Sequence, residues 1–155
     1  MLNAPQVNTI LGELLSTLET RVTTLLPLAV TAPEVTRTPG VYGSVILGAL
    51  FTGELDGKLT LTLEWVTAFM IAEEVTRTKI EGFTPEVQAA VETVFYEAAQ
   101  GIASGLLAAG LQVEIRPLPT LVDTDVLLAE EGKPGAIKIP ILHDAGVLNL
   151  FLSFD

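Results

Sequence analysis

Five polar side chains that could do chemistry lie at helical spacing within residues 84–110. They are Thr93, Tyr96, Glu97, Gln100 and Ser104. Glu97 and Gln100 are three residues apart, so a helix places them on one face. There, a carboxylate can pair with a partner's cation while an amide orients an attacking water, which suffices to assist hydrolysis of an already activated bond. The competing interpretation is a solvent-facing helix surface that is polar without a chemical role.

The segment that would position these residues carries clear start and stop signals. Thr84 can cap a helix, Pro85 suits the first helical position, and Glu86 complements the positive end of the helix dipole. Gly110 can adopt the left-handed conformation that closes a helix. The opposite face is apolar at three- and four-residue steps: Val87, Val91, Val94, Ala98 and Ile102. We therefore predict one long helix over 84–110, with its polar face available for function.

The remaining residue types argue against several common catalytic centres. His143 is the only histidine and falls in a predicted hairpin turn, so a Ser-His-Asp triad would depend on a surface turn residue. The chain has no cysteine, which rules out disulfides, thiolate nucleophiles and zinc–thiolate sites. It also lacks a glycine-rich phosphate loop followed by a lysine. We predict neither a metal site nor a bound cofactor.

Composition sets limits on the class of protein and on its partners. The chain has 155 residues, of which 49% are hydrophobic and 17% are charged, and this predicts one folded domain over 1–155. Its net charge is −11 with only eight lysine and arginine residues, so binding to nucleic acid or to an acidic lipid surface is not expected. No apolar run reaches the roughly 18 residues of a membrane span, and residues 1–5 lack a signal-peptide pattern. We expect a cytoplasmic protein.

Helical and strand patterns follow one another in an order typical of an α+β fold. Helices are predicted at 7–26 and 64–75 in addition to 84–110. Strands are predicted at 34–38, 41–51, 58–63, 112–116, 120–128, 136–142 and 147–154, with turns at 53–57, 130–135 and 143–146. Because hairpins join most of the strands, the sheet should be largely antiparallel, with the helices on one face.

Two of these segments also predict which side chains form the core. The segment 58–63 alternates apolar and polar residues, so Leu59, Leu61 and Leu63 should face the core while its two threonines face the other side of the sheet. In the segment 64–75, Trp65, Phe69 and Ala72 should face inward, with the two aromatic rings packed against the central helix.

The order and spacing of these elements resemble the chemotaxis phosphatases of the CheX type, relatives of CheC and FliY. The resemblance covers nearly the whole chain. It is carried by SVILG at 44–48 leading to GELDGKL at 53–59, by the helix 84–110, by VEIRPLPT at 113–120 and by the last strand, 147–154. The resemblance implies an α+β fold and hydrolysis of phosphoaspartate on a CheY-like response regulator.

The resemblance also implies a functional motif, which in that family is Glu-x-x-Asn on the long helix. Its Asn positions the water, its Glu pairs with a lysine of the regulator, and the magnesium ion belongs to the regulator. A gapless register from Ile115 places Thr93 and Tyr96 at these two positions, where a hydroxyl cannot form the ion pair and a phenol is too large to replace the carboxamide. A shifted register places Glu97 and Gln100 there, about 6 Å further along the helix, and requires a one-turn deletion before 110.

Three functions remain open at this point. The first is a CheX-like domain that binds a CheY-like response regulator or related signalling partner through Thr93, Tyr96 and Ser104, with its catalytic motif lost. The second is a divergent aspartyl-phosphate phosphatase that uses Glu97 and Gln100. The third is a dimeric scaffold with an idle site, so a homodimer also stays open.

Overall fold

The computed structural model describes residues 4–17, 29–30, 34–35, 40–82, 84–127, 137–143 and 146–154. Within these ranges it contains three helices: α1 (Ala4–Thr17), α2 (Trp65–Thr76) and α3 (Pro85–Ala108). The strands are β1 (Ala29–Val30), β2 (Glu34–Val35), β3 (Gly40–Gly53), β4 (Gly57–Leu63), β5 (Val113–Pro117), β6 (Leu121–Leu127), β7 (Ile137–His143) and β8 (Gly146–Phe154).

All the described strands join one sheet, and every pairing in it is antiparallel. The order along the main path is β1-β7-β8-β4-β3-β5, with β2 also paired to β7 and β6 also paired to β3. The long strand β3 pairs with β4 on one edge, while β5 and β6 share its other edge. Helices α1 and α2 pack against α3, and side chains from the helices and the sheet form one hydrophobic core. The predicted α+β fold with a largely antiparallel sheet is confirmed.

Strand β4 shows both the predicted alternation and one departure from it. Leu59, Leu61 and Leu63 are buried in the core, as expected. Thr60 and Thr62, which face the other side of the sheet, are buried as well. The chain after β5 lies over this face, where Leu118 and Pro119 line a small cavity together with Thr60. Within the sheet, Thr60 pairs with Gly48 on one side and Phe151 on the other.

Helix α2 buries Ala72, as predicted, but its two aromatic residues less fully than predicted. Its buried side chains are Thr67, Ala68, Ile71 and Ala72. Trp65 and Phe69 pack against the core but remain partly exposed, with their ring centroids 5.8 Å apart. Ile71 and three smaller residues therefore form the fully buried contact with the core, and the two aromatic rings pack at its margin.

Several predicted segments differ in extent from the structure. The first helix ends at Thr17 in the described part of the chain, and residues 18–26 of the prediction lie outside it. The predicted edge strand 34–38 is observed at Glu34–Val35, and the turn 130–135 also lies outside the described residues. His143, predicted in a turn, is instead the last residue of β7 and pairs with Gly146. None of the described helices combines the length and apolar character needed to cross a membrane.

Candidate functional site

Helix α3 is fixed at both ends by the signals that the sequence predicted. Thr84 is the N-cap and its hydroxyl accepts a hydrogen bond from the Val87 amide, with Pro85 at the start of the helix. At the other end Gly110 has φ of 86°, the Leu111 amide donates to the Leu106 carbonyl at 2.8 Å, and the Gly110 amide donates to the Leu107 carbonyl at 3.0 Å. These two bonds form a Schellman motif, which satisfies the last carbonyls of the helix.

Four of the five predicted site residues form one exposed stripe along α3. We call this the outer stripe: Thr93, Tyr96, Gln100 and Ser104. Tyr96 is 36% exposed, and its ring contacts that of Phe95 with centroids 5.8 Å apart. The Thr93 hydroxyl donates to the Ala89 carbonyl at 2.9 Å, so its proton is already used in a hydrogen bond to the helix backbone. The outer stripe therefore offers a partner one phenol, one amide and one serine hydroxyl.

Glu97 is the predicted residue that the structure sets apart from this stripe. At about 100° per residue, Glu97 lies well round the helix from Tyr96 but only about 20° from Ser104, so its burial, and not its angle, separates it from the stripe. It is half-buried, and its Oε2 atom is buried. One turn further on, Gly101 lies against Thr17 of α1, so this side of α3 is the side that α1 covers. A partner's cation therefore has less access to Glu97 than to a carboxylate on the outer stripe.

A second carboxylate, Glu92, borders the outer stripe on its other side and was not predicted from the sequence. Its Oε1 accepts two hydrogen bonds of 2.9 Å, one from the Gln88 side-chain amide and one from the Thr120 hydroxyl. Burial and, secondarily, the negative charge of Glu92 raise the pKa of the Tyr96 phenol. Tyr96 is thus a neutral hydrogen-bond donor at physiological pH. The four-residue spacing of Gln88, Glu92 and Tyr96 is visible in the sequence, whereas the contact with Thr120 is not.

These positions define what the site can do chemically. Its exposed residues can bind a partner through an aromatic ring and hydrogen bonds, and the Gln100 amide is placed where it could hold a water. Both nearby carboxylates lie at the margins of the stripe, Glu97 toward α1 and Glu92 toward Thr120. Among the described residues, no group of three or more His, Asp or Glu side chains is arranged to hold a metal ion.

Comparison with known proteins finds likeness in structure but not in sequence. No protein-family model matches the chain, and no curated protein matches it. The chemotaxis protein CheX from Desulfovibrio desulfuricans superposes with a TM-score of 0.78 at 14% identity, with 97% of this chain and 99% of that chain covered. A CheX chain in the CheX–CheY–BeF3–Mg2+ complex from Borrelia burgdorferi gives 0.68 at 17% identity, with 96% of each chain covered.

The structural similarity extends to FliM, a protein that is not named CheX or CheC. The middle domain of FliM from H. pylori superposes with a TM-score of 0.65 at 7% identity, with 99% of this chain and 93% of that chain covered. A shared fold hosts different functions, so these matches carry information about architecture rather than about activity. The antiparallel sheet, the helices packed on it and the near-complete coverage together show that this chain has the fold of the CheX/CheC-like chemotaxis proteins.

Proposed function

We propose that this protein binds a CheY-like response regulator, or a related signalling partner, through the outer stripe of α3, and that it does not hydrolyse the regulator's phosphoaspartate. The observation that carries the proposal is the exposure of Thr93 and Tyr96, the residues that the gapless register places at the two family motif positions. The complex between a CheX chain and CheY, in which the CheX chain shares this fold, supports a partner of this class.

The absence of hydrolysis follows from the chemistry of these two side chains. The Thr93 hydroxyl carries no charge and already donates to the Ala89 carbonyl, so it cannot form an ion pair with a regulator lysine. The Tyr96 phenol has one oxygen, whereas a carboxamide offers a separate donor and acceptor with which to orient a water. Its aromatic ring, partly exposed on the helix surface, is suited instead to packing against a partner.

A divergent phosphatase is the second candidate, and one observation favours it. Gln100 is exposed on the same stripe, so its amide could reach a partner's phosphorylated site and hold the attacking water. Its partner residue in this hypothesis, Glu97, has its Oε2 atom buried on the side of α3 that α1 covers. This placement makes the ion pair with a regulator lysine harder to form, which is why we rank binding without hydrolysis first.

The test measures binding and dephosphorylation separately on the same proteins. A CheY-like regulator encoded with this protein is phosphorylated, and its affinity for the protein and the decay of its phosphoaspartate are both recorded. We expect binding with an unchanged decay rate. Tyr96→Ala should weaken binding by about tenfold or more, the usual effect of truncating an aromatic residue at the centre of an interface.

Matched variants separate the three functions that the sequence left open. Gln100→Ala should leave the decay rate unchanged, as should Gln112→Ala, which removes the same exposed side chain from the loop after α3. A several-fold acceleration that is lost in Gln100→Ala, but retained in Gln112→Ala, would replace our proposal with the phosphatase. Absence of binding to the phosphorylated and unphosphorylated regulator would favour the scaffold with an idle site.

A further inference from the structure

Three segments that are distant in sequence meet at Asp123, outside the outer stripe. The Tyr42 hydroxyl of β3 and the indole N–H of Trp65, the first residue of α2, both donate to Asp123 Oδ1, each at 3.2 Å. Both hydrogen bonds use the same carboxylate oxygen, and the Asp123 residue is exposed to solvent. One carboxylate thus holds two aromatic residues beside it on the surface.

The backbone at Asp123 is what directs its side chain to this place. Pairing of β3 with β6 runs from Gly40↔Leu127 to Gly43↔Thr124, skips Ser44 and Asp123, and resumes at Val45↔Val122 without a change of register. Asp123 itself has φ of 45°, in the left-handed region that few residues other than glycine adopt, although Asp and Asn tolerate it. This conformation takes Asp123 out of the regular alternation of the strand.

The surroundings of the three residues are acidic and apolar. Glu64, directly before Trp65, is exposed and accepts a hydrogen bond of 2.9 Å from the Ser44 hydroxyl. Tyr42 is 57% exposed, and Val66, the next residue of α2, is 61% exposed. The surface therefore combines two carboxylates, two aromatic rings and an aliphatic side chain.

We propose that Tyr42, Trp65 and Asp123 form a binding site for an arginine side chain of a protein partner. A guanidinium can donate to the exposed carboxylate of Asp123, and its planar face can stack on an aromatic ring, so it uses both kinds of group present here. Lysine matches less well, because its compact ammonium is more strongly hydrated and does not stack. The negative charge of Glu64 adds to the attraction of a cation.

The shape of the surface points to an arginine carried by a polypeptide. The site is open, with Tyr42 and Val66 both more than half exposed, so it does not enclose a small ligand. Small-molecule sites bury most of their ligand in a concave pocket, whereas a peptide gains additional contact area from an apolar rim such as Val66. The site is separate from the outer stripe and does not depend on the function proposed for it.

The fluorescence of Trp65 provides a direct assay, because it is the only tryptophan in the chain. The full-length protein is titrated with the peptide acetyl-Leu-Arg-Leu-amide and, in parallel, with the same peptide carrying citrulline, which has nearly the same shape without the charge. We expect a saturable change in Trp65 emission with the arginine peptide, weakened by added salt, and none with the citrulline peptide. Free arginine amide should bind at least several-fold more weakly than the peptide.

Asp123→Asn tests the role of the carboxylate without disturbing the backbone, because Asn also tolerates the left-handed conformation. It should weaken the peptide response about three- to fivefold, the effect of losing a partly exposed ion pair. Asp56→Asn makes the same change at another exposed aspartate and should have no effect. Circular dichroism of each variant establishes that it is folded.

Three results would overturn the proposal. One is the absence of a saturable response to the arginine peptide in the folded protein, which would leave Asp123 only as a structural link of β6 to β3 and α2. Another is an equal response to the citrulline peptide or in Asp123→Asn. The third is equally tight binding of free arginine amide, which would exclude a polypeptide partner. Since no response regulator takes part in this assay, these outcomes do not depend on whether the proposed function is correct.

Discussion

Replacing Gly105 with alanine should destabilise the protein, although alanine is the better helix former. Gly105 lies in α3 at a point where α1 packs closely against it. A Cβ at this position would lie 2.7 Å from the Ile10 Cα, 3.0 Å from the Ile10 carbonyl oxygen and 3.2 Å from the Glu13 Cβ. The first two atoms belong to the backbone, so no change of side-chain rotamer relieves the clash. Helix α1 would have to move away by roughly 0.8 Å or more to reach the usual separation of carbon atoms.

The expected magnitude comes from two opposing effects. Replacing glycine with alanine inside a helix stabilises it by about 1 kcal/mol, whereas forcing an extra carbon into a packed contact costs about 1–3 kcal/mol. Because the clash involves backbone atoms, we expect the upper part of that range and a net loss of about 1–2 kcal/mol. For a chain of this size this corresponds to a fall of roughly 2–8 °C in Tm.

Gly12→Ala is the matched control, because Gly12 lies within α1 and a Cβ there would have no heavy atom within 4 Å. In this variant only the higher helix propensity of alanine acts, so the free energy of unfolding should rise by about 1 kcal/mol and Tm by about 2–4 °C. Both variants are compared with the natural protein by thermal and urea unfolding followed by circular dichroism. A Gly105→Ala protein as stable as the Gly12→Ala protein would refute the close contact between α1 and α3.

Two further predictions concern local interactions of α3. Thr84→Ala should cost about 0.5–1 kcal/mol of unfolding free energy, the lower part of the range for an N-cap, because the bond from the Val87 amide is long at 3.5 Å; urea unfolding that detects no loss would contradict this. Glu92→Gln should lower the pKa of Tyr96, since it removes a charge that disfavours the phenolate. An alkaline absorbance titration in the Tyr42→Phe background, where Tyr96 is the only tyrosine, measures this pKa, and an unchanged value would exclude the interaction.

The raised pKa of Tyr96 also makes the free energy of unfolding depend on pH in a defined direction. The folded protein holds the phenol proton more tightly than the unfolded chain does. This contribution to stability is therefore fully present below the ordinary tyrosine pKa near 10 and is lost as the pH rises through the higher folded value. Physiological pH lies below this window, so the interaction affects only alkaline unfolding.

The ends of α3 could be predicted from the sequence because the signals that set them are local. Thr84 and Pro85 act on the first turn, and Gly110 acts on the last, each through groups only a few residues away. The alternation of leucine and threonine in β4 is equally local, and it correctly predicts which side chains face the helices. The short connections of the β3–β4 and β7–β8 hairpins are local in the same way, whereas the other strand pairings join segments distant in the chain.

Which part of the polar face of α3 is exposed could not be predicted in this way. Helical periodicity places Glu97 beside Gln100 and Ser104, about 60° and 20° away around the helix, and all three side chains are polar. Only the packing of α1 against Gly101 and Gly105 covers the Glu97 side and leaves the Tyr96 side open. The hydrogen bond from Thr120 to Glu92 likewise joins residues 28 positions apart. These tertiary contacts decide which carboxylate a partner can reach, and therefore which chemistry the polar face of α3 supports.

By itself, the sequence determined the helices, the strands and the two hairpins, because capping, turn formation and periodicity depend on neighbours within a few residues. The tertiary structure decided the surfaces on which function depends. Asp123 shows why: its carboxylate meets Tyr42 and Trp65, which are 81 and 58 positions away, through a left-handed residue within a paired strand. No periodic pattern encodes such a meeting, because it arises from the free energy of packing the whole chain and not from the preference of any one segment.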